Sequence, residues 1–267
     1  MQVATLALGG ARMRTWAIVA LLSLLLLFCV VYSITVGRYD IAIGDVWRIL
    51  WDNVIPAQAP TWTPVQADVV EVIRLPRILA AVLIGAGLAM SGAALQGLFR
   101  NPLIDPSIIG VTSGAGFGGT LAILLVGGGY PVLAASFACG IGNLLVVKGL
   151  ASVKGRISML TFVLAGVIVS AFFEAAISIV KLLADPQQKL PAITYWLMGS
   201  IAATRYRDLA LIALAIVPPS IVIFLLRYQI NILSLGEDKA RALGSPIEVV
   251  QWTIFVAVSF ISAGVMR

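Results

Sequence analysis

The sequence predicts an all-α fold, a polytopic bundle of about seven membrane helices, each needing about 20 apolar residues to span. Two facts of composition and one pattern carry this expectation. The chain has 267 residues, of which 60% are hydrophobic and 11% charged, against about 25% charged in a soluble domain. The apolar residues form long unbroken runs, not the short alternating segments of a closed barrel. The net charge of +6 comes from Lys and Arg placed singly at the ends of those runs. That is the distribution of membrane anchors and argues against nucleic acid as a partner.

Several chemistries are excluded early. The chain has no histidine, which removes a His-based active site and leaves no Cys/His/carboxylate cluster at metal spacing. Cys29 and Cys139 both lie in apolar runs and read as small buried hydrophobes. No group of polar catalytic residues recurs at one depth, so the chain does not read as a membrane enzyme.

The elements follow in order. The first helix is expected near 16–36, after Arg12 and Arg14. It is longer than the apolar core of a signal peptide, about 7–15 residues, and reads as a retained span. Residues 37–73 hold Asp40, Asp45, Asp52, Asp68 and Glu71 with three prolines. They read as an external loop with a short amphipathic piece around Ile41 to Trp51. The second helix is expected near 78–99, followed by a polar elbow from Arg100 to Pro106, where proline stops continuation. Further helices are expected near 107–126, 130–147, 157–183, 209–226 and 249–266, giving one transmembrane domain over 1–267. Glu174 and Lys181 fall in the fifth run, two turns apart on one face, and are placed at the membrane surface rather than in an ion site. With Arg12 and Arg14 on the cytoplasmic side, the elbow and the basic connection of Lys148, Lys154 and Arg156 fall there too.

The run at 107–126 contains Gly110, Gly114 and Gly118. Small residues at this spacing let membrane helices approach closely. Tight packing is the plainer reading, and a path lined by backbone the sharper one.

Four ordered motifs go further. They are R-L-P-R at 74–77; a small-residue helix ending S-G-A-A-L-Q at 91–96; the elbow N-P-L-I-D-P at 101–106; and L-G-E-D-K-A-R-A-L-G at 235–244. In this order they resemble the FecCD-type permease subunits of ATP-binding-cassette (ABC) importers for iron–siderophore, haem and cobalamin. The resemblance implies a multi-pass protein of the bacterial or archaeal inner membrane. It would work as a homodimer among lipid, with two ABC ATPase subunits and an external solute-binding protein. The permease would bind no cofactor itself, and ATP and magnesium would reside in the partner ATPase. The implied cargo is an iron(III)–siderophore or related metal chelate, with haem or cobalamin as the alternative.

The same resemblance assigns residues. Arg74 and Arg77 would receive the binding protein. Asn101 and Leu103 would form the cytoplasmic gate, with Met159, Thr161, Gly166 and Ser170 along the path. In a cytoplasmic coupling segment at 231–245, Leu235, Gly236, Glu237, Asp238, Ala240, Arg241, Leu243 and Gly244 would engage the ATPase. Members of that family have about ten membrane helices, each of about 20 residues. The chain therefore reads as C-terminally shortened, and a non-transporting remnant or regulatory subunit is the alternative of another class.

Overall fold

The computed structural model describes residues 2–52, 61–153, 156–157 and 159–266, and side chains for 13–52, 61–151 and 160–266. Among the described residues, six helices are long and apolar enough to cross a membrane. The chain divides into two compact units, not the single domain expected from sequence. The first is Met1–Leu79 with Ala203–Tyr206, and the second is Ala80–Ala202 with Arg207–Arg267.

In the first unit, α1 (Gln2–Thr35) contributes the span Met13–Thr35, only 6% buried. The amphipathic α2 (Ile43–Asp52) buries Val46 and Ile49. These pack with Ile34, Ile41 and Val70 in a small apolar core. The expected loop at 37–73 is corrected here, because its second part is helical. Thr63 and Gln66 form a reciprocal capping box with Pro64 in the first turn, and this starts α3 (Pro64–Asp68). A π-helical segment, Val69–Arg74, carries the chain without a break into α4 (Leu75–Phe99). Of the polar residues 66, 68 and 71 on this stretch only Asp68 is exposed, while Val70 is buried.

In the second unit, the run expected at 107–126 splits. A 3-10 turn, Pro106–Ile109, ends at Gly110 (φ 80°), and α5 (Val111–Leu125) follows. The left-handed φ at Gly110 is a conformation that glycine adopts without steric cost. With 15 residues, α5 is shorter than a full span, so among the described residues six long helices stand where about seven spans were expected.

The glycine spacing in α5 serves close packing on α6 (Tyr130–Ala151). A Cβ at Gly114 would lie 2.7 Å from the Cβ of Asn143, and one at Gly118 would lie 2.7 Å from that of Cys139. A two-residue ladder, Ser152–Val153 with Arg156–Ile157, precedes α7 (Met159–Leu183). The fifth helix thus starts two residues later than expected.

The polar segment after it holds α8 (Lys189–Met198), and α9 (Tyr206–Leu225) contains Pro218 and Pro219. Two short helices, α10 (Arg227–Ser234) and α11 (Glu237–Ala242), lead to α12 (Ile247–Val265). The core of this unit joins α4, α6, α7, α9 and α12. Its centre is aromatic: Phe162 and Phe255 stack 4.2 Å apart with Trp252 edge-on, and Lys148 lies 4.1 Å over the Trp252 ring.

Candidate functional site

The residues singled out from sequence fall into an arginine pair in the first unit and a helix–elbow cluster in the second. In the pair, Arg74 is turned inward and is 8% exposed. Its Nη1 donates to the carbonyls of Ile34 (2.9 Å) and Thr35 (3.1 Å), and its Nη2 to that of Tyr39 (2.6 Å). Ile34 and Thr35 belong to the last turn of α1, where carbonyls lack helical partners and carry partial negative charge. Arg74 therefore caps α1. Its expected docking role is corrected on this ground: the guanidinium is already engaged by three carbonyls of its own chain.

Arg77 differs. It is half-buried, and its Nε has no hydrogen-bond partner. That Nε is itself shielded from solvent, so Arg77 is the less committed of the two arginines without presenting this nitrogen to a partner.

In the second unit, α4 ends with Arg100 in the left-handed region (φ 53°). Asn101 N–H returns to Gln96 O, and Asn101 Oδ1 accepts from Leu103 N–H at 3.0 Å, forming an Asx turn. Asp105 Oδ1 accepts from Ser107 N–H and caps the next turn. Leu103 is left 85% exposed at the tip.

The elbow lies beside the link between α10 and α11, because a Cβ on Gly236 would be 3.5 Å from Arg100 Nη1. Gly236 (φ 114°) turns the chain between those helices, and Gly244 (φ 73°) turns it after α11. Leu233 and Ala240 face inward, Ala240 with no exposure at all. Ala240 is therefore an anchor to its own bundle, which corrects its expected role in gripping a partner. Leu235 (57%) and Leu243 (64%) are exposed, alongside Asp238, Lys239 and Arg241. Glu237 is half-buried and lies 3.9 Å from Arg241.

On α7, Met159 opens the helix outside the described side chains, and Thr161 is half-buried. Gly166 is buried directly against the carbonyl of Ile108, and Ser170 Oγ is within 3.0 Å of a Cβ built on Gly110. Both face the packed interior, so their expected place along a path is corrected. The exposed stripe of α7 is instead Leu164, Val167, Ile168, Ala171 and Phe172. Its spacing of three and four residues was readable in the sequence.

A second residue missed from sequence is Asn143, 1% exposed, whose Nδ2 donates to the Gly110 carbonyl. A lone amide in an apolar run was its signal. Glu174 is exposed, and among the described residues it forms no ion pair with Lys181. No group of metal-ligating side chains occurs among the described residues.

Comparison with known proteins decides what carries these features. The model of the FecCD transport family matches residues 25–267. The chain belongs to the FecCD transport family. It is 40% identical over 245 residues to the molybdate import system permease protein MolB of Haemophilus influenzae, covering 91% of this chain and 72% of that protein. It is 35% identical over 228 residues to the vitamin B12 import system permease protein BtuC of Citrobacter koseri, covering 85% and 64%. The chain thus spans about two thirds of the length of these curated relatives. A solved structure described as a metal-chelate type ABC transporter in an inward-facing conformation matches with a TM-score of 0.79 at 37% identity. That match covers 94% of this chain and 75% of the other. This FecCD family chain is a multi-pass inner-membrane protein of the ABC permease fold.

Proposed function

We propose that this FecCD family chain is the transmembrane subunit of an ABC importer for a metal-containing solute. It works as a pair of copies with two ATPase subunits, which hold the ATP and magnesium. An external binding protein delivers the solute. The observation that carries this reading is the α10–α11 segment. Ala240 and Leu233 fix it to the bundle, while Leu235 and Leu243 stand exposed among charges. A surface of that kind has apolar grip for a partner and enough charge to remain in water.

Asn101 and Leu103 act as the gate at the same end. The smooth apolar stripe Leu164, Val167, Ile168 and Ala171 borders the path, where weak contacts let a bulky cargo slide. Arg77 receives an acidic group of the binding protein.

The cargo is an iron(III)–siderophore or related chelate. A second reading, molybdate, is favoured by the 40% identity to a molybdate permease. Uptake into proteoliposomes containing the chain with its cognate ATPase and binding protein tests both. Uptake of iron chelate supports the first cargo and uptake of molybdate the second. ATP-driven uptake of neither would sink the importer reading.

A further inference from the structure

We infer that α2 is an interfacial membrane anchor, lying along the bilayer surface where α1 leaves it and inserting a tryptophan face into the lipid. The depth of α2 follows from its packing. Val46 and Ile49 share a buried cluster with Ile34 of the last turn of α1. The span Met13–Thr35 has 23 residues, which at about 1.5 Å each suffice to cross the hydrocarbon core. Its last turn, and α2 with it, therefore sit at the membrane surface.

The two sides of α2 differ. At 3.6 residues per turn, its apolar residues cover about 200° of arc, from Ile49 through Val46, Leu50, Ile43 and Trp47 to Trp51. The protein covers only the part holding Val46 and Ile49. The rest is open: Ile43 is 64% exposed, Trp47 46% and Trp51 63%. The polar edge is separate and satisfied. Arg48 Nη1 lies 3.7 Å from Asp45 Oδ1, which also accepts from Thr61 Oγ1 at 2.8 Å.

Lipid is the occupant that this face fits. Tryptophan concentrates at the headgroup level, where one side of the ring is apolar and the other wet. The face continues an exposed aromatic set at the same end of α1, namely Phe28 stacked on Tyr32, and Tyr39. It also adjoins a span of which only 6% is buried within the chain. A helix with separate charged and aromatic–aliphatic faces lies in the interface plane, about 5–10 Å into the headgroup boundary.

The test uses the whole chain in phosphatidylethanolamine–phosphatidylglycerol nanodiscs. Cys29 and Cys139 are replaced by serine, and a nitroxide is placed by Trp47→Cys, Trp51→Cys or Arg48→Cys. Collision with oxygen, which enters lipid, is compared with collision by a water-soluble nickel chelate. The expected oxygen-to-nickel ratio at 47 and 51 is at least about fivefold that at 48, as for an interfacial helix. Ratios at 47 and 51 equal to that at 48 would mean an aqueous, protein-docking face and would overturn the proposal. Labels at 47 and 51 shielded from both reagents would mean a second copy there and would overturn it too. A second measurement avoids labels: lipids brominated near the headgroup should quench a component of the tryptophan fluorescence that is lost in Trp47→Phe/Trp51→Phe. Quenching unchanged by the double substitution would contradict the proposal.

Discussion

Tyr206 donates its hydroxyl hydrogen to the backbone carbonyl of Glu71 at 2.8 Å. In the helix that carbonyl stands opposite Pro76, which has no N–H to offer it. In the π-helical segment the Leu75 N–H reaches five residues back to Val70 O, so the next rung would run from residue 76 to Glu71. Proline has no N–H, and the tyrosine fills the gap. The R-L-P-R stretch is thus the inside of a continuous helix, repaired at one rung, and not the start of one.

Tyr206→Phe should lower stability by about 0.5–1.5 kcal/mol, the net worth of one hydrogen bond. The same change in a Pro76→Ala background should cost less, because residue 76 then supplies an N–H. Thermal melting in detergent, arranged as a double-mutant cycle, measures both. Equal losses in the two backgrounds would separate the tyrosine from the proline.

Arg74→Ala should destabilise the chain by about 1–3 kcal/mol, the cost of leaving the buried Ile34 carbonyl without its donor. Gly37→Ala should act in the same direction, because its Cβ would lie 2.5 Å from Arg74 Nη2. Hydrogen exchange at the last turn of α1 should rise in both variants. A stable Arg74→Ala protein that failed only in binding a partner would restore the docking reading.

Arg77→Glu should weaken capture of the external binding protein at least tenfold at low salt, and the difference should shrink as salt is raised. Stability should fall by about 1–3 kcal/mol, because Arg77 is half-buried with its Nε out of contact with water. Surface plasmon resonance on nanodiscs reads the first effect and melting the second. Unchanged affinity would return Arg77 to the role of a headgroup anchor.

Gly166→Ala should cost about 1–3 kcal/mol, the range for overpacking a tight contact, because the new methyl meets the Ile108 carbonyl. Gly142→Ala, with nothing within 4 Å of its Cβ, should be neutral or slightly stabilising by helix propensity. Melting of the two variants side by side checks the assignment. A neutral Gly166→Ala would mean open space beside α7 at that depth.

The membrane class and most of the helices were legible because apolar run length is a strong one-dimensional signal. The short helix of α2 was legible from its amphipathic period. The helix at Pro64 was not, because Gln66, Asp68 and Glu71 read as loop polarity, whereas Gln66 serves the cap and Val70 is buried. The motifs at 74–77 and 235–244 drew out two segments, but which of their side chains are buried was not legible. Side-chain direction separates Arg74 from Arg77 and Ala240 from Leu243, and in these segments that direction depends on a π turn and on glycines with positive φ. Neither has a reliable signature in a single sequence.

Under the proposed function, the exposed leucines beside α11 couple this permease to an ATPase. Affinity capture of the cognate ABC ATPase by the detergent-solubilised chain tests it most directly, comparing Leu235→Asp/Leu243→Asp with the unaltered protein. Both leucines are already exposed, so the variant should melt within about 0.5 kcal/mol of the parent yet lose at least ten times in ATPase affinity. A well-folded variant that captures the ATPase as tightly as the parent would contradict the account.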